Sequence, residues 1–413
     1  MKKPVLLVIM DGVGFSASGL GDAVTMANTK TLDSLYANYP YTRLKAHGCA
    51  VGLPSDDDMG NSEVGHNALG CGQIYSQGAK LVNESIDSGK IFASSTWTNA
   101  VKNVNDNKTT LHFISLLSNG NVHSNITHLF EFVKKAKENK VANVRCHIML
   151  DGRDVPSTSA LEFVDELENL FTQLNDNTFN AQIASGGGRM KITMDRYEAD
   201  WGMVELGYNT HVHAIGRAFS STTEAIETFR NENEGITDQN LPNFVIAKDG
   251  NPVGKIVDND SVVLLNFRGD RAIEISLAFE DKNFDKFDRG NAPSVYYAGI
   301  LQYDGDLNIP TNYLVSPPEI TNTLGEYLVN NNINQYAISE TQKYGHVTYF
   351  FNGNKSGKFN EDLETFVEIP SDNISFDQAP AMKCVEITEE LIKAMNSKEY
   401  DFLRVNYPNG DMV

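Results

Sequence analysis

One serine, set between two glycines, is the residue of this chain best suited to covalent chemistry. It is Ser62, in Met59-Gly60-Asn61-Ser62-Glu63-Val64-Gly65-His66, directly after an acidic run. A serine hydroxyl is a poor nucleophile at neutral pH unless a base or a cation lowers its pKa. A partner stands upstream, where the apolar run Val5 to Met10 stops at Asp11-Gly12-Val13-Gly14. That pattern predicts a buried parallel strand delivering a carboxylate at its carboxyl end, the edge where open α/β sheets bind ligands. Asp11 and Ser62 together suggest a metal-activated alkoxide. Taken alone, Ser62 reads equally well as a hydroxyl capping a helix that begins at Glu63.

Similar apolar runs recur and end in polar residues: Val144 to Leu150 before Asp151, Ser261 to Phe267 before Arg268, Tyr336 to Ile338 before Ser339-Glu340, and Tyr400 to Val405 before Asn406. Helical patterns lie between them. Ser124 to Asn139 spaces Ile126, Leu129, Phe132, Val133 and Ala136 along one face, and Leu161, Val164, Leu167, Leu170, Phe171 and Leu174 do the same in the next helix. The alternation predicts an α/β fold of parallel sheets with helices on both faces.

The 413 residues are enough for roughly two or three domains. With 34 Lys+Arg against 54 Asp+Glu the net charge is −20, which argues against nucleic acid or an anionic membrane as partner. An anionic substrate must then be captured by a local arginine cluster. The run Val5 to Met10 is too short for a signal-peptide core or a bilayer span, so the expectation is a cytoplasmic chain with no membrane partner. Cys49, Cys71, Cys146 and Cys384 form no Cys-x-x-Cys pair, and neither a disulfide framework nor a thiolate zinc site is indicated.

Asp11-Gly12-Val13-Gly14 and Gly60-Asn61-Ser62-Glu63-Val64-Gly65-His66 resemble the first two signatures of the cofactor-independent phosphoglycerate mutases, in the alkaline phosphatase superfamily. Further matches follow in that family's order: Asn121-Val122-His123-Ser124, Asp151-Gly152-Arg153-Asp154, Gly187-Gly188-Arg189, Met194-Asp195-Arg196-Tyr197, Asn266-Phe267-Arg268-Gly269-Asp270-Arg271 and Glu340-Thr341-Gln342-Lys343. One short motif is weak; an ordered series across essentially the whole chain is specific. The resemblance implies an alkaline-phosphatase-like parallel-sheet domain, residues 1–77 and 312–413, interrupted by an inserted α/β transferase domain, residues 80–308. Turn-rich Tyr75-Ser76-Gln77-Gly78 and the segment Asp304 to Pro310, with Pro317-Pro318 beyond, suit the hinges.

The resemblance also implies an activity: interconversion of 3-phosphoglycerate and 2-phosphoglycerate through a phosphoserine at Ser62, without 2,3-bisphosphoglycerate, by a monomer carrying two divalent ions, manganese by family habit. Asp11 and the Ser62 oxygen would ligate one ion. Asp411 would be the first ligand of the other, although by itself it reads as a solvated turn aspartate. Arg153, Arg189, Arg196, Arg268 and Arg271 match the family's anion-binding arginines, a role that suits the permanently charged, bidentate guanidinium. Without the resemblance, Arg268 and Arg271 also suit a surface network with Asp270 and Glu274. Asp154 resembles a residue that contacts the glycerate hydroxyls and passes their protons, or else only pairs with Arg153. His123 resembles a substrate-contacting histidine, and Lys343 a lysine beside the phosphoryl site. Their plain alternatives are a core or surface histidine and an exposed strand-end lysine.

The family pattern continues past Gly-Asp-Met-Val into further histidine ligands, whereas this sequence stops at Val413. Of the implied metal ligands, Asp11, Ser62 and Asp411 are present, and His66, His112, His128, His147, His211, His213 and His346 match no ligand motif. The expectation is a member shortened at its C-terminus, with an exposed sheet edge, a surviving glycerate-binding lobe and no turnover. Two further readings stay open: a phosphopentomutase-like enzyme or metal-dependent phosphatase of the same superfamily, and an inactive glycerate-binding module. The long insert with its arginines, and serine rather than threonine at the nucleophile, favour the mutase over the first.

Overall fold

Runs rich in β-branched and aromatic residues become strands, and in a computed structural model they assemble into two separate sheets. The structure describes residues 3–14, 20–53, 55–56, 59–76, 78–195, 198–304, 307–316, 320–372, 374 and 376–413. In chain order the strands are β1 (Val5–Met10), β2 (Thr110–Leu117), β3 (Asn143–Leu150), β4 (Asn180–Gly188), β5 (Arg217–Phe219), β6 (Phe244–Lys248) and β7 (Asn251–Pro252). They continue with β8 (Ser261–Leu264), β9 (Tyr296–Leu301), β10 (Tyr313–Val315), β11 (Gln335–Glu340), β12 (Glu364–Ile369) and β13 (Phe402–Tyr407). The chain divides into two compact units, Met1–Ser76 with Pro318–Val413, and Gln77–Pro317.

In the first unit the strands lie in the order β1-β13-β11-β12, all parallel, with Val8 and Ile338 both opposite Val405. The helix Cys384–Ser397 packs Ile387 and Leu391 against Tyr336, Ile338, Leu403 and Val405. The expectation that β1 is a buried strand needs correction. It lies at the edge of the sheet, and Val5, Val8 and Met10 are 63%, 46% and 44% exposed. An all-apolar run cannot by itself tell a central strand from an edge one.

The second unit holds a nine-stranded sheet, in the order β10-β9-β8-β2-β3-β4-β6-β5 with β7 on β6. Most neighbours are parallel; β6 runs antiparallel to β4 and to β7. Both faces are covered, as near-continuous apolar strands require. The helices Ser95–Asn107, Ile126–Glu138 and Ala160–Leu174 bury one face, and Trp201–Val212 with Ile273–Glu280 bury the other. The unit runs past residue 308 because β10 pairs with β9. The helix expected from Ser124 starts at Ile126, capped by the Asn125 side chain, because the Ser124 hydroxyl donates instead to the Leu116 carbonyl. β8 ends at Leu264, before the expected Phe267, yet Leu265 N still donates to Ile114 O at 2.9 Å.

Candidate active site

In the first unit, three expected residues follow the carboxyl ends of neighbouring parallel strands. Asp11 follows β1, Lys343 sits in the helix Thr341–Gly345 after β11, and Asp411 in the helix Asn409–Met412 after β13. Gly12 lets the first and last of these loops touch. Its φ is +74°, and a Cβ there would meet Asp411 N at 2.3 Å. Ser62 opens the helix Ser62–Cys71, and the cap is Asn61, whose side chain accepts from Val64 N at 2.9 Å. The capping role considered for Ser62 is thereby filled by another residue, and its hydroxyl is aimed elsewhere. It lies at a helix N-terminus, where the backbone dipoles favour a developing anion.

The Ser62 hydroxyl donates to Asp11 Oδ1 at 2.7 Å and accepts from Lys343 Nζ at 2.7 Å. The same ammonium lies 3.2 Å from Asp11 Oδ2 and 2.6 Å from Asp411 Oδ2. Burial would push the Asp11 carboxyl up, but hydrogen bonds from Asn406 and Ser62 and the Lys343 charge outweigh it and hold Asp11 below the usual carboxylate range. Asn406, on β13, donates to Asp11 Oδ2 at 2.9 Å and also meets His66 Nε2 at 3.0 Å. His66 Nε2 is then an acceptor, so the proton sits on Nδ1 and is given to Ser62 O at 2.7 Å. Burial lowers the His66 pKa and keeps this imidazole neutral.

Among the described residues no group of three or more His, Cys, Asp or Glu side chains is placed to hold a metal ion. The three expected ligands nonetheless converge, since Asp11, Ser62 and Asp411 all reach Lys343 Nζ. Their oxygens are hard donors of the kind manganese and magnesium prefer. They fit such an ion in type and as part of a shell of about six donors.

The second unit gathers its residues at one edge too, since β8, β2, β3 and β4 are neighbours and the relevant loops follow their carboxyl ends. Asp151, after β3, accepts from the backbone N of Arg153 and Asp154, each at 3.1 Å, and from Ser118 Oγ at 2.6 Å. Arg189, after β4 and only 1% exposed, reaches Asp151 Oδ1 at 2.9 Å and also pairs with Asp154. Arg153 itself is exposed, so Asp154 pairs with Arg189 rather than with its neighbour. His123 is buried, with Nδ1 3.9 Å from Asp270 Oδ1, and Arg268 Nε lies 3.0 Å from the same oxygen. The pairing considered for Arg268 and Asp270 therefore exists, and Arg271 donates to the Met194 carbonyl. Arg196 lies outside the described residues.

Sequence reasoning passed over Asn406, His66 and Asp151. Asn406 ends an apolar run, a position where parallel strands present polar side chains to ligands. His66 and Asp151 lie inside quoted motifs, but as supports of the neighbouring backbone they carry no ligand spacing to reveal them.

Residues 82–305 match the family model described as the BPG-independent PGAM N-terminus. The whole chain is 58% identical over 413 residues to a probable 2,3-bisphosphoglycerate-independent phosphoglycerate mutase of Leptospira interrogans, covering 75% of that protein. It is 51% identical over 414 residues to the corresponding mutase of Trypanosoma brucei brucei, again covering 75%. Its fold matches the crystal structure of Leishmania mexicana phosphoglycerate mutase at low cobalt concentration, with a TM-score of 0.84 and 48% identity over 100% of this chain and 76% of that one. Ordered motifs, fold and identity of this degree agree: the chain belongs to the family of 2,3-bisphosphoglycerate-independent phosphoglycerate mutases.

Proposed function

We propose that this protein interconverts 3-phosphoglycerate and 2-phosphoglycerate through a phosphoserine on Ser62, with no 2,3-bisphosphoglycerate. The observation that carries this reading is the Ser62 hydroxyl held between the Asp11 carboxylate and the Lys343 ammonium. In the first half-reaction Ser62 Oγ attacks phosphorus, the bond from phosphorus to the glycerate 3-oxygen breaks, and that oxygen leaves with a proton. In the second, the glycerate 2-oxygen attacks the phosphoserine and the bond from phosphorus to Ser62 Oγ breaks; Asp154 takes the 2-hydroxyl proton, replacing the one it gave the departing 3-oxygen, and Asp11 returns the Ser62 proton. Asp11, held ionised, receives the Ser62 proton across their hydrogen bond. Lys343 places positive charge beside the oxygen both when it attacks and when it leaves. A divalent ion on Asp11, Asp411 and the Ser62 oxygen, manganese in our reading, would supply further charge to stabilise the alkoxide.

The second unit supplies the glycerate site in this reading. Arg153, Arg196, Arg268 and Arg271 bind the substrate's carboxylate and phosphate, and His123 and Asp154 contact its hydroxyls. Arg189 holds Asp151 and Asp154 in place and would add its charge to the binding of the same anions. We read the enzyme as cytoplasmic, in keeping with a glycolytic substrate of this kind. No helix among the described residues is long and apolar enough to cross a membrane. The test is turnover by the Ser62→Ala enzyme. Production of 2-phosphoglycerate above background by that variant would refute the covalent route.

A further inference from the structure

A line of hydrogen bonds crosses the core of the second unit and ends at a strained residue next to Arg271's anchor. It starts at Asp260, whose carboxylate accepts from Thr110 N and Val257 N, each at 2.8 Å, and meets His112 Nε2 at 3.1 Å. His112 Nδ1 lies 2.9 Å from His147 Nε2, and His147 Nδ1 lies 2.7 Å from Ser185 Oγ. Ser185 Oγ lies 2.9 Å from His211 Nδ1, and His211 Nε2 lies 2.9 Å from Thr193 Oγ1. All six side chains are at most 1% exposed.

The sheet is built to allow this line. His112 on β2 and His147 on β3 face the same layer, but strict alternation would turn Ser185 on β4 to the other side. A register shift between Cys146 and His147 sets Ser185 opposite His147, and a residue added at such a bulge flips those beyond it to the opposite face. His211 comes from the covering helix Trp201–Val212.

The direction of every bond follows from one end. A carboxylate with no proton can only accept, so His112 carries its proton on Nε2 and accepts at Nδ1. His147 must then carry its proton on Nε2, Ser185 donates to His147, His211 carries its proton on Nδ1, and the Thr193 hydroxyl donates to His211 Nε2. Burial lowers the pKa of all three histidines and keeps each one neutral.

Thr193 has φ +68°, a left-handed conformation that is costly for a β-branched residue and is kept only where its surroundings impose it. Those surroundings are visible. Thr193 N donates to Met203 O at 3.0 Å, and a Cβ on Gly207 would come within 2.2 Å of Thr193 Oγ1, so the helix can approach only through glycine. The next residue is Met194, whose carbonyl accepts from Arg271 Nη1.

We propose that Thr193 and His211 are positioning residues for Arg271. Their hydrogen bond, polarised from Asp260, holds the strained turn that presents the Met194 carbonyl and so aims the guanidinium. This rests on the reading of Arg271 as a ligand for the substrate's anionic groups. A line that only satisfied buried polar groups would need neither the strain at Thr193 nor the adjoining arginine anchor.

The test is steady-state kinetics of the full-length enzyme carrying Thr193→Val, which keeps the branched shape and removes the donor. KM for 3-phosphoglycerate is expected to rise about fivefold to tenfold, as the loss of one neutral hydrogen bond allows, with kcat within about twofold. Thr193→Ser, which keeps the hydroxyl, should restore KM. In an Arg271→Ala background Thr193→Val should add nothing, because a residue acting through Arg271 has no further effect once it is gone. An unchanged KM in Thr193→Val while Arg271→Ala raises it, or a full effect persisting without Arg271, would overturn the inference. Arg271→Ala with unchanged KM would instead show that Arg271 is no substrate ligand, and the inference would fall with that reading. Should Thr193→Val not fold, imidazole nitrogen NMR of the unmodified enzyme decides. The expected tautomers are Nδ1–H for His211 and Nε2–H for His147 and His112, and an Nε2–H His211 would overturn the proposal.

Discussion

Lys343 Nζ donates to Ser62 Oγ at 2.7 Å while also facing Asp11 and Asp411 at 3.2 and 2.6 Å. One ammonium thus neutralises two carboxylates and touches the oxygen that would carry the phosphoryl group in our reading. A hydroxyl that gives its proton to a carboxylate and accepts from a cation is biased toward the alkoxide. Replacing Lys343 by Met should lower kcat about 100-fold, the size of effect seen when one donor to a developing oxyanion is lost. KM should change far less. Unaltered kcat in Lys343→Met would remove the lysine from the chemistry.

Two arginines expected in the same role have different surroundings, and their variants should differ accordingly. Arg189 is buried against Asp151 and Asp154. Its replacement by alanine leaves those carboxylates uncompensated, which typically destabilises by about 3–5 kcal/mol. Arg153 is exposed, and Arg153→Ala should alter stability by less than about 0.5 kcal/mol while raising KM. Denaturant unfolding alongside substrate titration separates the two. Equal stability of both variants would contradict the structural assignment of Arg189.

Much of this was legible in the sequence, and the parts that were not have physical causes. The apolar runs ending at Asp11, Asp151, Arg268 and Glu340 marked the parallel strands and, in each unit, the strand ends near which the candidate residues lie. Motif order marked Ser62, Asp11 and Lys343. Edge position was hidden, because Val5 to Met10 is apolar throughout although its strand has one neighbour among the described residues. The division of labour among the arginines was also hidden, since burial and pairing depend on which loops meet in space. The sequence presents Arg153 and Arg189 as alike; only packing separates them. The line from Asp260 to Thr193 joins residues from three strands, a helix and two loops, and no local spacing encodes it.

Glu274 provides a pH-dependent test. Burial and the nearby Asp195 and Glu198 carboxylates push its pKa up to about 7, against the opposing hydrogen bond from Glu198 N. The unfolded chain releases this proton near the ordinary glutamate pKa of about 4.3, so between that pH and about 7 the native state binds more protons and stability falls as pH rises. Glu274→Gln keeps the acceptor for Glu198 N at Oε1 and cannot ionise. Relative to the unmodified protein, this variant should gain stability on going from pH 5 to pH 8, as measured by thermal unfolding. A parallel pH dependence in the two proteins would show that Glu274 ionises normally.

Asn406 donates to Asp11 and supports His66, which in turn holds the Ser62 carbonyl. Asn406→Leu leaves both partners short of a donor in a buried site, so kcat should fall about tenfold to 100-fold, as expected for a supporting residue whose neighbours are hydrogen-bonded and charged. Substrate affinity should be kept, since the Asn406 side chain is hydrogen-bonded to Asp11 and His66. A change confined to KM would place Asn406 in substrate binding instead.

The central claim is that Ser62 carries the phosphoryl group. The direct measurement is rapid acid quenching of the enzyme during turnover of isotopically labelled 3-phosphoglycerate, followed by mass spectrometry of its peptides. One labelled phosphoryl group on the Ser62 peptide, appearing before 2-phosphoglycerate accumulates and absent from Ser62→Ala, is the expected result. Turnover with no label on Ser62, or with label on another residue, would contradict the account.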